Sequence, residues 1–283
     1  MMSRTLVCRA AAALGMLALV ISVQAASPSP LVVKLEPYAG TQSIVHATIA
    51  GHPGTFLFDT GEGITMISPS LAQAIDCKPW GAVTGFRMSG ERLDAPHCDN
   101  LSVGFGARTF RAPAVIIFDI MAFMDKAQPP LDGVIGLDVF AGQAVTIEPA
   151  QALTIETTKS LAERRKNGTE IPIRMVRDAE GLSLTANAGV PTPSGLAWME
   201  LDTGNVGTIA VAKHIAPLLN LSLDQKEPQS AKIRIVDGIV VEGSVYIPPS
   251  SIMDGNIGVQ FLKNWSMTLD LKDGRAWLAP AKK

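Results

Sequence analysis

After its first two dozen residues the sequence has no apolar run long enough to span a bilayer. It has no excess of positive charge, with 24 Lys+Arg against 26 Asp+Glu, which argues against a nucleic-acid surface. Its four histidines, His46, His52, His97 and His214, show no metal-ligand spacing. There is no Gly-x-Ser-x-Gly nucleophile elbow and no phosphate-cradling Gly-x-x-x-x-Gly-Lys. Gly104-Phe105-Gly106 has no dinucleotide-fold context and reads as a turn. No metal and no cofactor is expected. Cysteine is scarce too: three residues, none in a Cys-x-x-Cys pair, so redox catalysis is not expected.

Arg4 and Arg9 open a segment whose Ala10 to Val23 is apolar, and Val23-Gln24-Ala25 supplies small residues at a cleavage site. Residues 1–25 read as a signal peptide cleaved near Ala25. The alternative is an uncleaved anchor, for which the run is short. The mature chain would be exported, to a bacterial periplasm, without stable membrane insertion. Its 22 Lys+Arg and 26 Asp+Glu give a net charge of −4. Cys8 leaves with the signal, and Cys77 and Cys98 are expected to pair in an oxidising compartment; two buried free thiols are the alternative.

Hydrophobic residues make up 47% and charged residues 18%, so the chain is globular and large enough for two lobes. Val, Ile, Thr, Gly and Pro are spread evenly, which favours many short strands. One stretch occurs twice. Phe56-Leu57-Phe58 runs into Asp59-Thr60-Gly61, and Trp198-Met199-Glu200-Leu201 runs into Asp202-Thr203-Gly204, with 202 − 59 = 143 positions between the aspartates. Each copy suits a strand feeding a tight loop. Each is followed by a helical signal, a hairpin and an apolar-Gly element: Val134-Ile135-Gly136 in the first half, Asn256-Ile257-Gly258 in the second. Ser68 is a plausible cap for a short helix at Pro69–Ile75. Thr157 to Thr169, with Arg164-Arg165-Lys166, reads as a linker with a helical turn and a solvated basic face, a docking patch being the alternative. The organisation is thus 26–156 as N-terminal lobe, 157–169 as linker and 170–283 as C-terminal lobe.

The paired Asp-Thr-Gly motifs and their apolar-Gly partners resemble the aspartic proteases, the pepsin and retropepsin group. The resemblance runs from Leu31 to about Pro280 and implies an all-β, bilobal fold of two related β-barrel-like lobes with a cleft between them. It implies a catalytic pair, Asp59 and Asp202, sharing one proton because two close carboxylates cannot both ionise. Thr60 and Thr203 would cross-link the two loops, and Gly61 and Gly204 would let backbone amides approach the carboxylates. The hairpins near Gly85–Glu91 and Ile233–Val241 would lie over the cleft. Phe86 or Met88 would replace the flap tyrosine of pepsin-like enzymes, because Tyr38 and Tyr246 sit elsewhere.

The activity implied is hydrolysis of peptide bonds in a polypeptide substrate. Fusion of two lobes in one chain implies a monomer. Two positions depart from the family pattern. Glu62 and Asn205 follow the glycines where Ala, Ser or Thr is usual, and an ionised Glu62 near the pair would raise its proton affinity and move the optimum towards neutral pH. The alternatives are an inert peptide-binding module on the same fold, and an all-β exported domain in which both triplets are coincidental turns.

Overall fold

The computed structural model describes residues 29–224 and 229–281. The signal-peptide reading lies outside the described residues. The described chain forms three sheets, of eight, seven and six strands.

The eight-stranded sheet belongs to the first half. Its order is Glu36–Tyr38, Gln42–Ile49, His52–Phe58, Gly133–Ile135, Met66–Ile67, Arg108–Ile117, Arg92–Phe105 and Trp80–Phe86. The seven-stranded sheet of the second half has the same plan: Ile173–Val176, Thr185–Thr192, Gly195–Leu201, Gly255–Ile257, Ile209–Val211, Ile239–Tyr246 and Gln229–Val236. In both, the strand carrying the Asp-Thr-Gly motif lies parallel to the apolar-Gly strand. The registers correspond: Leu57 faces Val134 in the first lobe, and Glu200 faces Asn256 in the second. Equivalent carboxylates brace the two strands from behind. Asp132 accepts from Thr55 N at 2.8 Å, and Asp254 accepts from Trp198 N at 2.9 Å.

The six-stranded sheet joins the lobes. Leu31–Lys34, Ala152–Ile155 and Ala144–Glu148 come from the first half; Trp265–Asp270, Arg275–Pro280 and Thr169–Ile171 come from the second. The seam is the antiparallel pair Ala144↔Asp270 to Ile147↔Met267. Alternation in these strands supplies core side chains such as Val145, Ile147, Met267 and Leu269, all fully buried. Phe58, Phe105, Phe110 and Phe140 form an edge-on aromatic cluster under the first lobe.

Ser68 caps the helix Pro69–Ala74, its hydroxyl accepting from Leu71 N. The segment read as a linker with one turn is a ten-residue helix, Thr158–Asn167. Thr157 and Ser160 form a reciprocal cap at its start, and its basic last turn complements the helix dipole. That basic run is not simply solvated. Arg164 pairs with buried Glu156 at 2.9 Å, and Arg165 pairs with buried Asp270 at 2.6 Å while lying over the Trp277 ring. The helix is thereby fastened to the joining sheet. A cavity of about 630 Å³ lies between them, lined by Glu156, Lys159, Arg164, Thr268 and Trp277 and by neither Asp59 nor Asp202.

Cys77 and Cys98 are disulfide-bonded, with Cα atoms 6.1 Å apart. The bridge ties the end of the helix Pro69–Ala74 to the strand Arg92–Phe105, which continues into the first hairpin. The Ile233–Val241 hairpin is not a free arm. Ile233, Ile235, Ile239 and Val241 are buried in the second lobe's core, so this hairpin forms a wall.

Candidate active site

Each Asp-Thr-Gly loop begins where its strand stops. Asp59 N donates to Ile135 O at 3.1 Å, and Asp202 N donates to Ile257 O at 3.0 Å. The apolar-Gly strands therefore hold both aspartates by main chain. Gly136 and Gly258 are required here. A Cβ on Gly136 would strike Glu62 O, and one on Gly258 would strike Gly207 O.

The threonines lock the two loops together. Thr60 N donates to Thr203 Oγ1 at 3.0 Å, and Thr203 N donates to Thr60 Oγ1 at 3.1 Å. Each hydroxyl then donates across to the opposite strand: Thr60 Oγ1 to Leu201 O at 2.6 Å, Thr203 Oγ1 to Phe58 O at 3.3 Å. Both threonines are buried, so every link is made away from water.

The glycines let the carboxylates meet. A Cβ on Gly61 would run into the Asp202 carboxyl, and one on Gly204 into the Asp59 carboxyl. Gly61 N and Gly204 N donate to Asp59 Oδ1 at 2.8 and 2.9 Å. Gly204 N and Asn205 N donate to Asp202 Oδ1 at 2.7 and 2.9 Å. Gly204 N thus donates to both carboxyls, which sit side by side. Burial, then the Asp202 charge, then Glu62, holds Asp59 well above the usual carboxylate range.

Three further acids surround the pair. Burial, with the charges of Asp138 and Asp202, pushes Glu62 up to about 8. Burial pushes Asp138 up to about 7, although Thr65 donates to its Oδ1 from both N and Oγ1. Burial and the Asp202 charge push Glu200 up to about 8. Glu62 is thus itself raised, and it stands among the groups that raise Asp59. Asn205 supplies no hydroxyl to the outer oxygen of Asp202. Its side chain donates to Asn256 Oδ1 at 2.7 Å, and Asn256 Nδ2 donates to Asp202 Oδ2 at 2.5 Å and to Glu200 Oε2 at 3.3 Å.

Sequence reasoning took Asn256 for a main-chain brace and passed over Glu200. Superposing the halves by their register exposes both, because Val134 and Leu57 hold the matching places in the first lobe.

The first hairpin spans the lobes at its tip. Trp80–Phe86 and Arg92–Phe105 pair up to Phe86↔Arg92, and Gly90, at φ +89°, turns the chain. Ile252 N donates to Met88 O at 3.0 Å, and Ser250 Oγ donates to Ser89 O at 2.7 Å. Phe86 remains well exposed on this hairpin, and Met88 is half-buried.

Residues 45–139 match the family model described as aspartyl protease. The match spans the first lobe, from the strand before Asp59 through Gly136 to Val139. Among solved structures the chain is similar to basic 7S globulin from soybean, at 9% identity and a TM-score of 0.56, covering 90% of this chain and 95% of that one. At that identity the likeness speaks for the fold alone. The family match thus covers the first lobe, and the structural likeness covers the fold of both. A search of curated proteins finds no match. The fold is all-β and bilobal, and residues 45–139 are similar to aspartyl proteases. Among the described residues, no cluster of His, Cys, Asp and Glu is arranged to hold a metal ion, and no helix is long and apolar enough to cross a membrane.

Proposed function

We propose that the protein is an aspartic endopeptidase that cleaves polypeptides in the cleft above Asp59 and Asp202. The observation that carries the reading is the pair of carboxyls, Asp59 and Asp202, that share the Gly204 N–H on loops held by reciprocal threonine links. One carboxylate takes a proton from a water whose oxygen bonds to the scissile carbonyl carbon. The other carboxyl gives its proton to the carbonyl oxygen. The tetrahedral adduct then collapses: the C–N bond breaks, the nitrogen takes a proton from the pair, and a carboxylic acid and an amine leave. The chain supplies all the groups this needs.

The hairpin whose tip bridges to residues 250–252 is the lid that opens for substrate. The exposed Phe86 and the Met88 segment offer it apolar and main-chain contacts. Export of a monomer from Ala26 onward, with residues 1–25 removed, completes the proposal, and the Cys77–Cys98 bridge suits an oxidising compartment.

The test is cleavage of a broad peptide library by the chain from Ala26, between about pH 3 and pH 8, beside Asp59→Asn, Asp202→Asn and added pepstatin. Cleavage by the wild type that disappears in both variants is the expected result. Cleavage that survives in either variant refutes the dyad. Peptides held intact by the wild type and both variants would make the protein a binding module.

A further inference from the structure

The two aspartates are not equivalent, and the difference comes from a pair of asparagines present in only one lobe. Asp202 accepts three hydrogen bonds from neutral donors. Gly204 N and Asn205 N reach Oδ1 at 2.7 and 2.9 Å, and Asn256 Nδ2 reaches Oδ2 at 2.5 Å. Asp59 accepts two, both on Oδ1, from Gly61 N and Gly204 N. Among the described residues its Oδ2 has no such donor, because the place of Asn256 in the first lobe is taken by Val134. An amide N–H can donate to a carboxylate oxygen but cannot accept a proton from a carboxylic acid, so donors on both oxygens favour the charged form.

Asn256 is itself fixed. Its Oδ1 accepts from Asn205 Nδ2 at 2.7 Å, so its amide group can only point Nδ2 towards the acids. Asn205 is oriented in turn by Gly207 N, which donates to Asn205 Oδ1 at 2.8 Å. Asn256 is buried, so water does not compete for these bonds.

We propose that Asn256, oriented by Asn205, is a positioning residue that keeps the negative charge on Asp202 and the shared proton on Asp59. Asp202 is then the base that takes the proton from water, and Asp59 is the acid that donates to the carbonyl oxygen. The proposal deepens the endopeptidase reading but rests on hydrogen-bond geometry within the protein. The groups facing Asp202 agree with it. Asp59, Glu62 and Glu200 are all acids, so the charge on Asp202 is held by dipoles and not by a cation. The raised proton affinities of Glu62 and Glu200 keep those two neutral beside it at the pH where one charge is needed.

The test is ¹³C-carboxyl NMR of the chain from Ala26 labelled at aspartate, with Asp59→Asn and Asp202→Asn assigning the two signals. Near pH 6, the wild type is expected to show Asp202 at the ionised shift and Asp59 at the protonated shift. Asn256→Val, which copies the first lobe, removes a charge-assisted hydrogen bond and is expected to move the proton partition at least about tenfold towards Asp202. Asn256→Gln keeps the donor and is expected to restore part of the asymmetry. Should Asn256→Val fail to fold, Asn205→Ala serves instead, since it frees the amide to turn. A wild type with the proton on Asp202, or with both signals at one intermediate shift, overturns the proposal. So does a partition unmoved in the folded variant. None of these readings needs a substrate. A chain that cleaves nothing yet shows the asymmetry refutes the endopeptidase reading alone.

Discussion

Glu200 offers a test of the buried acids that needs no substrate. It sits one residue before the end of the strand leading into Asp202 and is buried at 7% exposure. Burial and the Asp202 charge push it from an ordinary 4.5 up to about 8. The unfolded chain releases this proton near its ordinary value, and the folded protein holds it to about pH 8. Folding therefore takes up a proton between those limits. The stability associated with Glu200 is fully present below about pH 4.5 and is lost as pH rises towards 8. Each tenfold difference in proton affinity is worth about 1.4 kcal/mol, so the loss by pH 7 is about 3 kcal/mol. Glu62 and Asp138, also raised, add to the slope with the same sign. Glu200→Gln keeps the shape and an acceptor for Asn256 but cannot ionise. It is expected to match the wild type near pH 4 within about 1 kcal/mol and to exceed it by about 3 kcal/mol at pH 7. In a chain of this size that is a Tm gain of roughly 6–12 °C. Thermal unfolding followed by circular dichroism at several pH values between these limits reads it directly. A variant whose Tm follows the wild-type pH slope would show that Glu200 titrates normally and that the electrostatic account of this site is wrong.

Three other outcomes follow from the geometry. Thr203→Val removes the acceptor of Thr60 N and a donor to Phe58 O inside a dry site, and is expected to cost about 1–3 kcal/mol in urea unfolding; an unchanged midpoint would mean the link is dispensable. Cys77→Ser opens a loop of 21 positions and is expected to cost about 3 kcal/mol, with reductant reproducing the loss in the wild type but not in the variant. Ile252→Pro deletes the N–H that holds Met88 O, so amide exchange at Arg87 and Gly90 should quicken roughly fivefold for about 1 kcal/mol lost; exchange as slow as in the wild type would show that the hairpin tip is held by other contacts.

Much of this arrangement was legible because the repeat within the sequence places the same chemistry in matching contexts. Asp59 and Asp202, with Thr60, Thr203 and the glycines, stand in matching contexts, and no other local pattern competes with them. The helix Pro69–Ala74 carried its own start signal in Ser68 and Pro69. The helix Thr158–Asn167 was harder. It has no buried residue and hence no apolar stripe, and it is held by a cap and by ion pairs to Glu156, just before its cap, and to Asp270, 105 positions from Arg165. The hairpin Ile233–Val241 was recognisable as a hairpin, but its destination depends on which face the lobe buries. That Glu62 is itself raised escaped the sequence, because burial is a property of the fold. Asn256 escaped for a related reason. An asparagine beside Ile-Gly means little until Glu200 and Asp202 are brought to its amide from 56 and 54 positions away.

The seam of the joining sheet has a consequence for timing. Ala144–Glu148 must wait for Trp265–Asp270, and Asp59 must wait for Gly204 and for the strand Gly255–Ile257 behind Asp202. A chain still being synthesised therefore has Asp59 in its own sheet but lacks Gly204 and Asp202 beside it. The carboxyl pair comes into being only when nearly the last strand has emerged. The pair is a product of both halves of the sequence, and neither half holds it alone.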